Sequence, residues 1–237
     1  MSFGFSINND FGQTVVNENY TNMALVEKGT ISMTTRHLSA GNPFTAVLTR
    51  TGLVNPIIFI RPSAQSASGS WDLGVGVDTK YDNGTYTFRF WGGMASGRSC
   101  DWWLFDSTAP APTMLHGLAV YKPSGDAAWY SSWKVLRISQ VVALPQLYQN
   151  QNDLYIDAEP ILQITQAHTA TYAVSGTCSR LIINYGPRQG DYICRTANGF
   201  EINPRGPKWG NAGYYLSEDV MSPYGGSTVL VADVTGY

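Results

Sequence analysis

Three carboxylates in the second half of the chain form its one local group of acidic side chains. Asp157 and Glu159 are two residues apart, so in a strand they would share a face, and Asp153 lies just before them. Such a pair suits a hard cation such as Ca²⁺, or acid–base hydrolysis of a glycan with Glu201 as a further acid. We favour the competing interpretation, a solvated turn before Pro160, because calcium loops carry Gly and Asn or Asp in tighter spacing.

Other motifs of catalysis are absent from the sequence. His37, His116 and His168 lie far apart, and none is beside a Cys or an Asp. There is no Gly-rich phosphate loop, no nucleophile elbow and no His-Glu-x-x-His zinc motif. We therefore expect a protein that is not an enzyme and that holds no metal or cofactor.

The aromatic residues suggest binding instead of catalysis. Exposed indoles stack on pyranose faces while amides such as Asn83 and Asn211 bind hydroxyls, so the Trp residues could form a sugar platform. The competing interpretation places them in a core or at a subunit interface. Adjacent Trp102 and Trp103 must point to opposite faces of a strand, so at least one faces away from its own core. We favour subunit contact, with Trp102 and Trp103 as the candidate interface.

The composition disfavours several classes of partner. Charged residues make up 14% of the chain, the net charge is −2, and Lys and Arg are scattered singly, which disfavours nucleic acid. No run approaches the apolar length of a membrane span, and the opening lacks the pattern of a secretory signal, so we expect folding in a cytoplasm. We then expect Cys100, Cys178 and Cys194 to be free thiols, in preference to the disulfide that the spacing of Cys178 and Cys194 would allow. The low charge also favours a surface covered by neighbouring subunits.

The opening pattern of the chain occurs twice. Residues 4–20 and 117–133 align without a gap, and each contains a short alternating strand, a turn closed by Gly and a second strand, which predicts a hairpin. The spacing between the copies matches a domain rather than a solenoid repeat. The matching positions are Gly4 and Gly117, Phe5 and Leu118, Ile7 and Val120, Gly12 and Gly125, Val16 and Trp129, and Tyr20 and Trp133.

The sequence therefore predicts an all-β protein of two tandem β-sandwich-like domains related by an internal repeat. Residues 1–110 form the first domain and residues 113–237 the second, joined by the stiff segment Ala109-Pro110-Ala111-Pro112. Apolar segments that alternate with a period of two, separated by turns such as Asn83-Gly84, run through both domains. No segment keeps a helical period over the length of an ordinary helix.

Residues 117–138 resemble the start of small tail proteins of long-tailed bacteriophages. The shared features are a Gly-apolar-x-apolar opening, a turn with Gly, an aromatic residue soon after it, and a strand with the apolar-Arg-apolar step Leu136-Arg137-Ile138. Residues 4–20 match more loosely, and Phe59-Ile60-Arg61-Pro62 is similar to a further segment of that family. The residues that carry the resemblance are structural.

The resemblance implies a virion component of the distal tail, near the tail tip or tail fibre, that is assembled in the host cytoplasm and positions the receptor-binding apparatus for host adsorption. It implies a homotrimer in contact with other phage tail proteins. We expect the first domain to anchor to the tail. We expect the second domain to meet the fibre, a host surface glycan or an outer-membrane protein, with Gln149, Asn150, Trp209 and Asn211 as candidate contacts. A carbohydrate-binding, lectin-like module is the alternative.

Overall fold

The structure is a computed structural model that describes residues 6–8, 14–17, 22–33, 46–63, 74–92, 98–108, 116–143, 162–165, 170–176, 181–182, 189–190, 192–203 and 228–237. All regular elements in these ranges are β-strands, and no helix within them could span a membrane. The first half contributes β1 (Ser6–Asn8), β2 (Thr14–Asn17), β3 (Ala24–Met33), β4 (Ala46–Thr51), β5 (Ile57–Pro62), β6 (Val75–Asp82), β7 (Thr85–Gly92) and β8 (Arg98–Asp106). The second half contributes β9 (Ala119–Tyr121), β10 (Ala127–Tyr130), β11 (Ile138–Ala143), β12 (Leu162–Thr165), β13 (Tyr172–Ser175), β14 (Leu181–Ile182), β15 (Gln189–Gly190), β16 (Tyr192–Thr196), β17 (Gly199–Asn203) and β18 (Thr228–Asp233).

Each half of the chain opens with the predicted hairpin. β1 pairs antiparallel with β2 to form the first hairpin, and β9 pairs antiparallel with β10 to form the second. Both hairpins have one extra residue in the second strand, Val15 in one and Ala128 in the other. The hairpins thus share their register as well as their bulge, which confirms the repeat. The matching cross-strand pairs are Ile7 with Val16 and Val120 with Trp129.

Two six-stranded sheets follow the hairpins, and the repeat extends through both. The first sheet has the order β11-β18-β13-β5-β8-β3, and the second has the order β12-β17-β16-β6-β7-β4. In each sheet, three strands from the first half run from one edge to the middle, and three strands from the second half run from the other edge to the middle in the equivalent order. β3, β8 and β5 therefore correspond to β11, β18 and β13, while β4, β7 and β6 correspond to β12, β17 and β16. The all-β prediction is confirmed, and so is the duplicated arrangement.

Local irregularities are duplicated as well. In β3 an extra residue, Val26, interrupts the pairing with β8, and in β11 the extra residue Ser139 interrupts the pairing with β18 at the matching position. β8 and β18 each end in an Asp whose carboxylate accepts the backbone N–H of a Thr two residues on. The distances are 3.0 Å from Thr108 N to Asp106 and 2.9 Å from Thr235 N to Asp233.

The two halves of the chain join edge to edge. β5 pairs antiparallel with β13, where Ile60 lies opposite Val174, and β6 meets β16, where Val75 lies opposite Ile193. Both sheets are therefore continuous across the halves, and residues from both build one core. The physical reason is that each half alone would leave two apolar inner strands with unpaired backbone edges.

Two clusters of buried side chains lie on opposite faces of the first sheet. The central core, between the sheets, includes Ile58, Ile60, Val77, Phe88, Phe90, Leu104, Val174 and Val231. The outer cluster, on the other face, consists of Phe59, Trp103, Phe105, Ala173, Ala232 and Val234.

Segments just after the two hairpins cover the outer cluster. Met23, Leu136 and Tyr237 pack against it. Leu25 N donates to Lys134 O, and Leu136 N donates to Met23 O, both at 2.8 Å. The entry to β3 and the entry to β11 therefore pair with each other, although these strands are the two outer edges of the sheet. The sheet is closed on itself at this end.

The edge-to-edge junction predicts that the halves depend on each other. Residues 1–110 and 113–237, expressed separately, should not give stable monomers, whereas co-expression should give a one-to-one complex with sheet-rich circular dichroism. Size-exclusion chromatography with light scattering and thermal melting measure this. As a control, a protease site inserted in the predicted linker at residues 110–111 should allow cleavage without separation of the halves. A half that melts cooperatively as a monomer would contradict the shared core.

Asp106 and its counterpart Asp233 are expected to contribute unequally to the free energy of unfolding. Buried Asp106 also accepts from Val54 N at 3.1 Å and Asn55 N at 2.7 Å. Burial opposes its ionisation, but these hydrogen bonds and those from Thr108 outweigh it and lower the pKa of Asp106. Asp106→Asn should reduce the free energy of unfolding by about 2–4 kcal/mol at pH 7, and Asp233→Asn by about 1 kcal/mol.

The effect should depend on pH with a defined sign. A lowered folded-state pKa contributes stability above the unfolded-state value of about 4, and that stability is lost as the pH falls through the folded-state pKa. Urea unfolding at pH 7 and pH 3 should therefore show the difference between wild type and Asp106→Asn shrinking in acid. A constant or growing difference would show that the carboxylate is not the stabilising species.

Candidate functional site

Trp102 and Trp103, which were predicted to form a subunit interface, are both buried within the protein. Trp102 belongs to the central core, where a Cβ on Gly29 would lie 2.9 Å from its ring, and Trp103 lies in the outer cluster. Their opposite orientation was predicted correctly. Only 8% of Trp103 is exposed, because the chain's own hairpin exits and Tyr237 cover that face. Neither ring is available to a partner subunit.

The other candidate contacts lie outside the described residues. These are Gln149, Asn150, Trp209 and Asn211, together with the acidic group Asp153, Asp157 and Glu159. Glu201 is described: it lies in β17, is buried, and accepts a hydrogen bond from Gln163 Nε2 at 3.3 Å. Within the described ranges, no three His, Cys, Asp or Glu side chains are grouped as a metal site would require.

The second sheet also carries a buried ion pair, between Asp78 in β6 and Arg89 in β7. The two residues are direct cross-strand partners, and Arg89 donates to Asp78. Burial raises the pKa of Asp78 despite the opposing effect of the guanidinium. Removing either partner would leave a buried charge uncompensated, so the pair fixes the register of β6 and β7. We assign it a structural role.

The second hairpin presents the best candidate for a binding surface. Val120 and Ala128 are buried, with Trp129 packed against them. Side chains alternate along a strand, so Tyr121 lies on the opposite face, where 54% of it is exposed. Leu118, just before β9, is 71% exposed. Apolar groups at such exposure are typical of contact surfaces when they occur together.

Aromatic contacts hold this exposed face in one arrangement. The Tyr121 and Tyr130 rings meet edge to face at a centroid distance of 6.1 Å, and Tyr130 meets buried Trp133 at 5.2 Å. The two tyrosine hydroxyls are 3.5 Å apart, and their hydrogen bond raises the pKa of Tyr130. The base of the hairpin is fixed by Ser131 N, which donates to Leu118 O at 2.9 Å. Exposed Tyr121 is thus anchored through half-buried Tyr130 to buried Trp133.

Polar groups at the hairpin tip border the tyrosines. Gly125 has a φ of +91°, which the turn requires, and its N–H donates to Lys122 O at 2.9 Å. Ser124 Oγ donates to Asp126 Oδ2 at 2.8 Å. Tyr, Ser and Gly on a short rigid loop are the residues that binding loops use most, because they combine contact area with adaptable hydrogen bonding. The hairpin is therefore suited to recognition of a polar surface.

The first hairpin has the same backbone but different side chains at these positions. By the shared register, Asn8 corresponds to Tyr121 and Asn17 corresponds to Tyr130. The aromatic face is therefore not required by the hairpin fold. Reading the copies only for shared residues missed Tyr121 and Tyr130.

No protein-family model, no curated protein and no solved structure matches this chain. Its function therefore has to be inferred from the chemistry of the second hairpin and from the scaffold that holds it.

The difference between the hairpins predicts that Tyr121 and Tyr130 can be replaced with little loss of stability. Tyr121→Asn with Tyr130→Asn should lower the free energy of unfolding by less than about 1 kcal/mol, because the first hairpin folds with Asn at both positions. Trp133→Ala should cost about 3 kcal/mol, since that ring is buried. Chemical denaturation of the three proteins measures both values. A large loss in the Asn variant would mean that the tyrosines serve stability.

Proposed function

We propose that this chain is a structural component of a bacteriophage tail that positions the receptor-binding apparatus and contributes to host adsorption. The observation that carries the proposal is the second hairpin, where exposed Tyr121 is held by half-buried Tyr130 on a scaffold of two continuous sheets. The same hairpin lies in residues 117–138, the segment that resembles small tail proteins. Binding residues generally lie on loops and turns that a rigid scaffold positions, and a short hairpin held by a large sheet is such an element.

The shared core changes how the roles are divided. Because the two halves form one body, anchoring and contact are assigned to the two hairpins and not to separate domains. The first hairpin, with Asn8 and Asn17, is the part we assign to the tail, and the second, with its tyrosines, is the part we assign to the fibre or the host. Trp209, Asn211, Gln149 and Asn150 stay predicted contacts. The homotrimer and the virion location stay predictions of the resemblance.

A carbohydrate-binding module is the second candidate function, and one observation favours it. Tyr121 is 54% exposed, and the turn that follows it carries the hydrogen-bonded Ser124 hydroxyl and Asp126 carboxylate. A pyranose could stack its apolar face on the tyrosine and direct its hydroxyls to the polar tip. This function would be favoured over the first if the isolated protein binds host polysaccharide while a phage that carries Tyr121→Asn with Tyr130→Asn adsorbs normally.

Adsorption of virions carrying Tyr121→Asn with Tyr130→Asn tests the proposal. These virions should assemble with a normal content of the protein, but their adsorption rate constant should fall about tenfold, which corresponds to about 1.4 kcal/mol of lost contact. The matched control is Tyr81→Asn, which removes a tyrosine that is 60% exposed on the β6–β7 hairpin and should leave adsorption unchanged.

Two outcomes would overturn the proposal. Normal adsorption by the double variant would remove the second hairpin from the contact. Absence of the wild-type protein from purified virions would remove the tail assignment itself. The neighbouring genes give an independent check, since a tape-measure or tail-fibre gene alongside is what a tail component requires.

A further inference from the structure

The turn after β18 folds back over the outer cluster. Tyr237 N donates to Val234 O at 3.1 Å, and Gly236 between them has a φ of +76°, a conformation that favours glycine. The turn places the half-buried Tyr237 ring against the outer cluster, where it meets Phe105 at a centroid distance of 5.9 Å. The cover of this face of the first sheet therefore includes one inserted tyrosine.

Tyr237 also holds the segment that follows the second hairpin. Its hydroxyl donates to Val135 O, and the Arg137 guanidinium lies 4.7 Å from the centre of its ring. A guanidinium over an aromatic face is attracted to the ring. Burial raises the pKa of Tyr237, so its hydroxyl remains a donor at neutral pH. The ring is thus held between Phe105 on one side and residues 135–137 on the other.

Three cationic side chains fix the backbone of the same turn, each by a hydrogen bond to one of three consecutive carbonyl oxygens. The pairs are Arg137 Nη2 with Thr235 O at 2.8 Å, Lys134 Nζ with Gly236 O at 2.9 Å, and Lys28 Nζ with Tyr237 O at 2.6 Å. Hydrogen bonds from charged donors are stronger than those between neutral groups. Lys28 belongs to β3, whereas the other two cations follow the second hairpin, so the turn is tied to both halves.

Tyr237 is a feature of the second half alone. With Asp233 aligned on its counterpart Asp106, Tyr237 falls on Pro110, which has neither an aromatic ring nor a hydroxyl. The half whose hairpin carries Tyr121 and Tyr130 is therefore the half whose closing segment carries a tyrosine.

The contacts of Tyr237 lead to the exposed face of the hairpin in a few steps. Val135 lies two residues after Trp133, whose buried ring meets Tyr130, and Tyr130 in turn meets Tyr121. A two-stranded hairpin has little stability of its own. Its orientation therefore depends on what holds its base.

We propose that Tyr237 is a positioning residue for the second hairpin, which holds residues 134–137 through its ring and hydroxyl and thereby fixes the direction in which Tyr121 and Tyr130 face a partner. That this direction matters for contact rests on the proposed function, whereas the fixing itself is a property of the isolated chain.

Hydrogen exchange of the full isolated chain tests the positioning role. In Tyr237→Ala, the backbone amides of residues 117–136 should exchange at least tenfold faster than in the wild type, because local opening no longer has to break the contacts of the ring and hydroxyl. Tyr237→Phe keeps the ring and its Arg137 contact but loses the hydrogen bond to Val135 O, so its exchange should lie between the two.

Tyr86→Ala is the matched control. Tyr86 is also half-buried, and its hydroxyl donates to a backbone oxygen, Val54 O, at 3.0 Å. Its ring packs against the central core and not against the outer cluster. This variant removes a comparable ring and hydrogen bond, and it should leave the exchange of residues 117–136 unchanged.

Virions test whether the fixed orientation is used. If the hairpin without the ring is correctly oriented about a third of the time, its apparent affinity falls about threefold. Virions carrying Tyr237→Ala should therefore adsorb about threefold more slowly with a normal content of the protein, and virions carrying Tyr86→Ala should adsorb normally.

The outcomes separate this inference from the proposed function. Unchanged exchange of residues 117–136 in Tyr237→Ala overturns the inference, and so does normal adsorption of that variant when Tyr121→Asn with Tyr130→Asn slows adsorption. If both variants adsorb normally, the proposed function fails, and exchange alone decides the positioning role. If Tyr237→Ala does not fold, Arg137→Gln replaces it, because it removes the cation from the ring, and unchanged exchange in that variant also overturns the inference.

Discussion

Both sheets depend on one seam of backbone pairing in the middle of the molecule, where β5 meets β13 and β6 meets β16. A Cβ on Gly176 would lie 3.0 Å from Val77, so the first and second sheets approach closely here because residue 176 has no side chain. The Gly176 N–H also donates to Ile58 O at 2.8 Å. Without this seam, fully buried Ile58, Phe59 and Ile60 would lie at an open edge.

The sequence pattern predicts the strands and the repeat, but it does not predict that β5 pairs with β13 or that β6 pairs with β16. Period-two alternation identifies which side chains are buried, and the matching glycines identify the two hairpins. Alternation does not specify which backbone edge a strand will pair with, because side chains point away from the hydrogen-bonding direction. Two sandwiches lying apart and two joined edge to edge therefore have the same pattern. Trp103 shows the same limit: its orientation followed from its neighbour Trp102, but its cover comes from Met23 and Leu136, which are distant in sequence.

The candidate site was predictable in part, and the reason is the duplication itself. Two copies of one hairpin must agree at positions that fix the turn and the buried face, and these positions revealed the repeat. Positions that face away from the body are released from that requirement. Asn8 and Tyr121 occupy one such position, and β3 and β11 differ in charge in the same way. The aligned copies are identical only at the glycine pairs Gly4 with Gly117 and Gly12 with Gly125, so comparing them does not single out Tyr121 and Tyr130, whose edge-to-face contact requires the structure.

The pairing of residues 23–25 with residues 134–136 has a mechanical consequence. These segments run antiparallel directly behind the two hairpins and are held by backbone hydrogen bonds of 2.8 Å. A pull on either hairpin along its own strands loads these bonds in shear, so they resist together and do not open one after another. The same load passes into β3 on one side and into β11 on the other. Force applied to one hairpin is therefore shared between the two edge strands of the first sheet.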